Sequence, residues 1–193
     1  MTLMLHSLKT FLDKNKLWPV VDVLLFIVIT YLFHKLWWRF SYLIYGTPFL
    51  LSVSQWLAKT VFLASSWIDA HILCINIRLF PDNIINFVSC ERSIQINESC
   101  SGFKQMYQVV ILFLLFPGPW KHKLWYIPMG MAAMFLINVM RVVLLSIAMI
   151  QLPQYWDFIH LWILRPFYYL VIFILWVIWV ERFGGMKRYF KKA

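Results

Sequence analysis

Residues 124–150 of the chain read LWYIPMGMAAMFLINVMRVVLLSIAMI. This run is apolar and long enough for a helix that crosses a bilayer, which needs about 20 residues. Of the 193 residues in the chain, 62% are hydrophobic and only 13% are charged. A water-soluble domain is about half apolar and about a quarter charged. The chain is therefore predicted to be an integral membrane protein built mainly of helices, because lipid satisfies no free backbone groups.

Four other apolar stretches flank this one, at residues 17–33, 49–73, 101–116 and 161–180. Between the second and third stretches, residues 75–80 and 93–97 alternate apolar and polar side chains around a turn at 81–83. Alternation with period two is typical of half-buried strands. The predicted fold is an all-α membrane protein, a bundle of about five transmembrane helices with a small extracytoplasmic β-hairpin cap.

The predicted organisation has four parts. They are an N-terminal amphipathic segment with two membrane spans at 1–73, the cap at 74–99, a three-span region that carries the candidate catalytic residues at 100–181, and a basic cytoplasmic tail at 182–193. Cations in short loops face the cytoplasm. Lys121, Lys123 and the tail should therefore lie inside, and the cap should lie outside.

The net charge of +10 has a membrane explanation. The basic residues cluster at the ends of apolar stretches, where they set topology and contact anionic lipid. No basic patch lies on a soluble module, so nucleic acid is not a predicted partner.

Three groups suited to acyl transfer fall near the predicted outer side: Cys100 opens the third span, Arg141 lies inside the fourth, and His160 borders the last. Arg141 is placed roughly 14 Å from the outer end of its helix at about 1.5 Å per residue. A thiolate nucleophile, a cation that stabilises an oxyanion and an imidazole acid/base are the parts of cysteine catalysis.

Four neighbours are predicted to support these groups. Ser101 and Lys104 follow Cys100 at the start of a helix, whose dipole favours a thiolate. Asn138 precedes Arg141 on the same helix face, and Asp157 is placed to orient His160. No spacing of His, Cys, Asp or Glu matches a metal site, so neither metal nor cofactor is predicted.

Structural alternatives stay open for each group. Cys100 is equally an inert buried thiol, and His160 an interfacial anchor. A buried guanidinium costs at least about 2.5 kcal/mol on insertion, so Arg141 is either functional or bridged to Asp69 or Asp157. A second cation, Arg165, precedes a proline and ranks below Arg141. Of the other cysteines, Cys74 and Cys90 form a disulfide or remain free.

The motifs Cys100-Ser101-Gly102, Asn138-x-x-Arg141 and a histidine at 160, within residues 75–180, resemble those of the exosortase/archaeosortase family. The resemblance implies a compact bacterial cysteine transpeptidase. In it, Cys100 is the nucleophile, Arg141 positions or stabilises the scissile carbonyl, and His160 is the acid/base.

The family resemblance also implies a substrate and a location. The substrate is a C-terminal sorting signal made of a short motif, an apolar span and a basic tail. The protein would lie in the bacterial inner membrane with its site facing the periplasmic or outer side. A competing hypothesis is a non-enzymatic scaffold for envelope or exopolysaccharide assembly. A thiol oxidoreductase is disfavoured because no Cys-x-x-Cys pair is present.

Overall fold

The computed structural model describes residues 10–13 and 16–184, apart from the side chains of residues 44 and 45. The predicted amphipathic segment and basic tail lie largely outside these described residues. Five main helices follow one another: α1 Trp18–Gly46, α2 Pro48–His71, α3 Phe103–Leu115, α4 Trp120–Gln151 and α5 Arg165–Arg182. Each of the five predicted apolar stretches therefore forms a helix.

Three helical stretches in the described part of the chain are long and apolar enough to cross a membrane: Trp18–Leu43, Trp120–Gln151 and Pro153–Arg182. With 13 residues, α3 is about 20 Å long, shorter than the hydrocarbon core of about 30 Å. Helix α2 is long enough but carries Lys59 and Asp69. The all-α membrane fold is confirmed, whereas three rather than five helices combine the length and apolarity of a span.

The predicted cap is present as a three-stranded antiparallel sheet, with β1 Ile77–Phe80, β2 Ile84–Phe87 and β3 Arg92–Gln95 in that order. The two predicted strands are its edges, and each pairs with β2 rather than with the other. The central strand was missed because Ile84 is apolar and hides the alternation of the fully buried Ile85 and Phe87.

Helix α4 lies between two apolar clusters. One joins it to α1, α3 and α5 through residues such as Val109, Phe113, Met134 and Ile172. The other seats the cap on α2 and α4 through residues such as Val61, Ile85, Phe87 and Val142. The two clusters cover both faces of α4, and the second of them holds the segment that leaves β3 against this helix.

Candidate active site

A short turn carries the candidate nucleophile. After β3 the chain forms a 3-10 turn, Glu98–Cys100, and the Asn97 side chain caps it by accepting from the Ser99 amide at 3.1 Å. The Cys100 amide donates to the Asn97 carbonyl at 2.9 Å. Cys100 is half-buried, and its thiol is free, as are those of Cys74 and Cys90. The turn thus holds Cys100 where the cap meets the helical bundle.

Ser101 positions this turn. Its side chain is fully buried, and its Oγ donates to the Glu98 carbonyl at 2.6 Å and accepts from the Phe103 amide at 3.2 Å. The same oxygen lies 3.3 Å from Ser54 Oγ on α2. Because the hydroxyl is already committed to the protein, Ser101 supports the backbone beside Cys100 rather than offering a free group.

Gly102 allows the turn to approach α4 closely. Its φ of 76° is left-handed, and a Cβ there would lie 3.0 Å from both Cγ and Nδ2 of Asn138. Left-handed backbone favours glycine because other residues strain. The close approach lets Asn138 Nδ2 donate to the Cys100 carbonyl at 2.8 Å. Asn138, a predicted supporting residue, thus contacts the backbone of Cys100.

Replacing Gly102 with alanine is expected to lower the free energy of unfolding by at least about 1–2 kcal/mol. Two costs contribute to this loss of stability: the strain of an alanine at this φ and the displacement of the Asn138 side chain by the added Cβ. Thermal unfolding of the detergent-solubilised protein measures the loss. Gly46→Ala is the control, because no atom lies within 4 Å of a Cβ at that position. An equal response of the two variants would contradict the role assigned to Gly102.

Arg141 and His160 are in direct contact. Arg141 Nη2 lies 2.6 Å from His160 Nε2, although the residues are 19 positions apart. A guanidinium only donates, so Nε2 accepts, and the imidazole is neutral with its proton on Nδ1. The indole of Trp156 packs against the ring, with centroids 4.9 Å apart. The imidazole is therefore neutral, and Arg141 occupies the lone pair of Nε2, so this nitrogen can take a proton only when the bond to Arg141 opens.

His160 lies in an unusual helical segment. Residues Ile159–Leu164 form a π-helix between a short α-helical turn and α5. Pro166 has no amide hydrogen and therefore cannot continue the α-helical pattern of hydrogen bonds. Single π-helical turns often occur at functional sites. Pro166 is the sequence signal for the π-helical segment, although from sequence it served only to place Arg165 below Arg141 as a candidate.

Tyr168 joins the two halves of the site, and sequence reasoning missed it. Arg141 Nη1 donates to the Tyr168 hydroxyl at 3.4 Å, and the guanidinium lies 5.5 Å from the ring centroid. The hydroxyl in turn donates to Asn138 Oδ1. A path of hydrogen bonds thus runs from His160 through Arg141, Tyr168 and Asn138 to the Cys100 carbonyl. Tyr168 and Tyr169 stand side by side among the apolar residues of α5, and nothing local in the sequence singles out the first of them.

Removing the Tyr168 hydroxyl tests this path. Tyr168→Phe is expected to lower the free energy of unfolding by about 1–3 kcal/mol, because Asn138 Oδ1 loses its donor in a buried place. Tyr169→Phe is the matched control, since Tyr169 is 43% exposed whereas Tyr168 is 3% exposed. Denaturation of both variants in the same detergent gives the comparison. A Tyr168 variant as stable as the control would show that the hydroxyl contributes nothing.

Two predicted supporting residues have other surroundings. Lys104 Nζ lies 4.8 Å from the ring centroid of Trp38 and 6.0 Å from that of Trp37, both on α1. Its ammonium therefore makes cation–π contacts with α1. Asp157 is exposed and makes no hydrogen bond to His160 among the described contacts. Hydrogen bonds link Asn138, Arg141 and His160 to the backbone carbonyl of Cys100, and among the described contacts neither Lys104 nor Asp157 joins that path.

The alternative partners of Arg141 are not used. Its hydrogen bonds go to His160 and Tyr168, and within the described residues neither Asp69 nor Asp157 forms an ion pair with it. Arg141 Nε is buried and has no hydrogen-bond partner among them. The Nε–H group of the guanidinium is therefore a donor without an acceptor among the described residues. No three His, Cys, Asp or Glu side chains of the described residues form a group able to hold a metal ion.

The fold and site define a class: a helical membrane protein in which a cysteine turn is linked to a half-buried arginine–histidine pair. The family model for transmembrane exosortases (Exosortase_EpsH) matches residues 3–177, and the chain belongs to this family. The family is generally a group of cysteine peptidases and transpeptidases with a role in protein sorting. No match was found among curated proteins or solved structures. The resemblance predicted from the motifs is confirmed, and the match extends to the N-terminal helices.

Proposed function

We propose that the chain is a membrane-embedded cysteine peptidase and transpeptidase that cleaves C-terminal sorting signals of exported proteins. One observation carries the proposal: Arg141 contacts His160 directly and reaches the backbone of Cys100 through Tyr168 and Asn138. The backbone of the turn that carries the cysteine, an imidazole and a guanidinium are far apart in sequence, and one path of hydrogen bonds joins them.

The first half of the reaction forms a thioester. Neutral His160 takes the proton of the Cys100 thiol, and the sulfur attacks the scissile carbonyl carbon. The C–S bond forms while the carbonyl electron pair moves to oxygen, where Arg141 donates hydrogen bonds. The C–N bond then breaks, and His160 returns its proton to the departing amine of the apolar tail.

The contact between Arg141 and His160 couples these steps. The thiol proton goes to His160 Nε2, so the bond from Arg141 to this nitrogen opens as the proton arrives, and the imidazolium then repels the guanidinium as a like charge. Arg141 is therefore released toward the developing oxyanion when negative charge appears there. In the second half of the reaction, water or an acceptor amine attacks the thioester and frees Cys100.

The proposed location is the bacterial inner membrane, with the site at its outer, periplasmic side. The first turn of α4, with Lys121 and Lys123, would then face the cytoplasm, as the distribution of cations near the ends of membrane spans favours. The proposed partners are the sorting signal, with its short motif, apolar span and basic tail, and the surrounding membrane lipids. The motif would reach the site from the aqueous side while the apolar span stays in the bilayer.

The test uses exported reporters that carry C-terminal tails taken from exported proteins of the source organism. Each reporter is co-expressed with the chain, and hydroxylamine is added to trap a thioester. We expect loss of the tail and a C-terminal hydroxamate on the reporter, detected by mass spectrometry. If every reporter keeps its tail beside a folded, membrane-inserted chain, the scaffold hypothesis replaces this one.

A further inference from the structure

A cleft lies between α2 and the cap, next to the turn that carries Cys100. Its volume is about 640 Å³, within the range of about 300–1,000 Å³ that ligand sites have. One wall is the α2 face that includes Gln55, Lys59 and Phe62, and the other consists of residues 80–83 and 95–98. The last of these residues, Glu98, is the first of the 3-10 turn that ends at Cys100.

The strand that leads into this cleft has a free edge. In the order β1-β2-β3, β3 pairs with β2 on one side, and no described strand covers its other side. Ile96 donates to the Asn83 carbonyl at 3.0 Å, so Ile96 and Ile94 point their backbone groups toward β2. Antiparallel pairs alternate, so the N–H and C=O of Ser93 and Gln95 point outward.

We infer that this edge and cleft bind the substrate segment that precedes the scissile bond, as an extended strand added to β3. The inference rests on the proposed function. Strand addition at a free sheet edge is a recurring mode of peptide recognition, in which backbone hydrogen bonds supply the affinity. The scissile bond must lie at Cys100, and β3 runs toward Cys100. The added segment therefore runs parallel to β3.

The charges of the cleft favour a polypeptide over a lipid headgroup. Its lining contains one cation, Lys59, and two carboxylates, Asp82 and Glu98. A site with this balance repels a phosphate. Gln55 Nε2 donates to Glu98 Oε1 at 3.2 Å and so orients a carboxylate of the turn that carries Cys100. Such a carboxylate accepts hydrogen bonds from peptide N–H groups.

The inference is tested first with proline variants of the two sheet edges. Gln95→Pro removes an outward N–H without breaking a bond between β2 and β3. It is expected to raise the KM of reporter cleavage at least tenfold while kcat changes less than twofold. Leu79→Pro is the matched control: it removes an outward N–H from the opposite edge, on β1, and should leave both constants unchanged. Equal effects of the two variants would overturn the inference.

A second measurement does not depend on cleavage. In full-length protein with Cys100→Ala, a photoreactive benzoylphenylalanine replaces Gln95 or, as control, Leu79. The protein is irradiated in vesicles that contain the tail-bearing reporter. Only the probe at position 95 should crosslink to the reporter, and the crosslink should fall in the few reporter residues that precede its cleavage site. Crosslinks to lipid, or none to the reporter, would overturn the inference. A wild-type chain that crosslinks but never cleaves would instead count against the proposed function.

Discussion

Cys100→Ala is expected to reduce processing of a tail-bearing reporter by about 10⁴-fold or more, to the level of cells without the chain. In the proposed mechanism the Cys100 sulfur forms the thioester bond to the acyl group of the reporter. Without this sulfur, His160 and Arg141 have no nucleophile to assist. Cys100→Ser should be nearly as inactive, because an alcohol gives up its proton far less readily than a thiol. Gel mobility of the reporter gives the fraction processed.

The other two cysteines provide matched controls. Cys74 is exposed, and Cys90 is half-buried with its sulfur 4.0 Å from the Phe87 carbonyl. Cys74→Ala and Cys90→Ala should each retain processing within about twofold of the wild type, since the proposed mechanism gives neither thiol a role. Processing that persists in Cys100→Ala at the level of these controls would rule out the thioester mechanism.

Arg141→Lys is expected to lower kcat by about 10²–10³-fold, or about 2.7–4 kcal/mol, the usual cost of losing an oxyanion donor. Nη2 of the guanidinium donates to His160 Nε2, and Nη1 donates to the Tyr168 hydroxyl. A lysine keeps the charge but lacks the planar fork, so it cannot make both bonds. Single-turnover cleavage of a purified reporter separates this loss from weaker substrate binding.

Arg165→Lys is the control for this substitution. Arg165 is exposed at the start of α5, and the Lys variant should cleave at a rate within about threefold of the wild type. Added methylguanidine should restore part of the activity of Arg141→Ala, because it supplies the missing planar donor. An Arg141→Lys variant with full activity would mean that the residue serves only as a positive charge.

The helices could be predicted from sequence, and three candidate site residues could be selected from it, because both signals are local. A bilayer demands long apolar runs, and these are visible in composition alone. Arg141 stands out for the same reason, since a cation inside such a run is costly. The short motifs around Cys100, Asn138 and His160 added the family, and the family match over residues 3–177 confirms it.

Other features depended on contacts that no local pattern records. Tyr168 looks like any aromatic residue of an apolar helix until α5 packs beside α4 and places its hydroxyl between Arg141 and Asn138. Lys104 is predicted to be a supporting neighbour of Cys100, and its ammonium lies against Trp38 because α1 packs beside α3. Side-chain partners of this kind are set by neighbouring helices.

The sequence by itself determined that the protein is a helical membrane protein with a cysteine, an arginine and a histidine suited to acyl transfer. Apolar runs and isolated polar residues determine this because lipid excludes unpaired charge and free backbone. Only the tertiary structure decided that Arg141 bonds to His160, that Tyr168 and Asn138 connect them to Cys100, and that β2 separates the two predicted strands. These relations join residues distant along the chain, so packing alone fixes them.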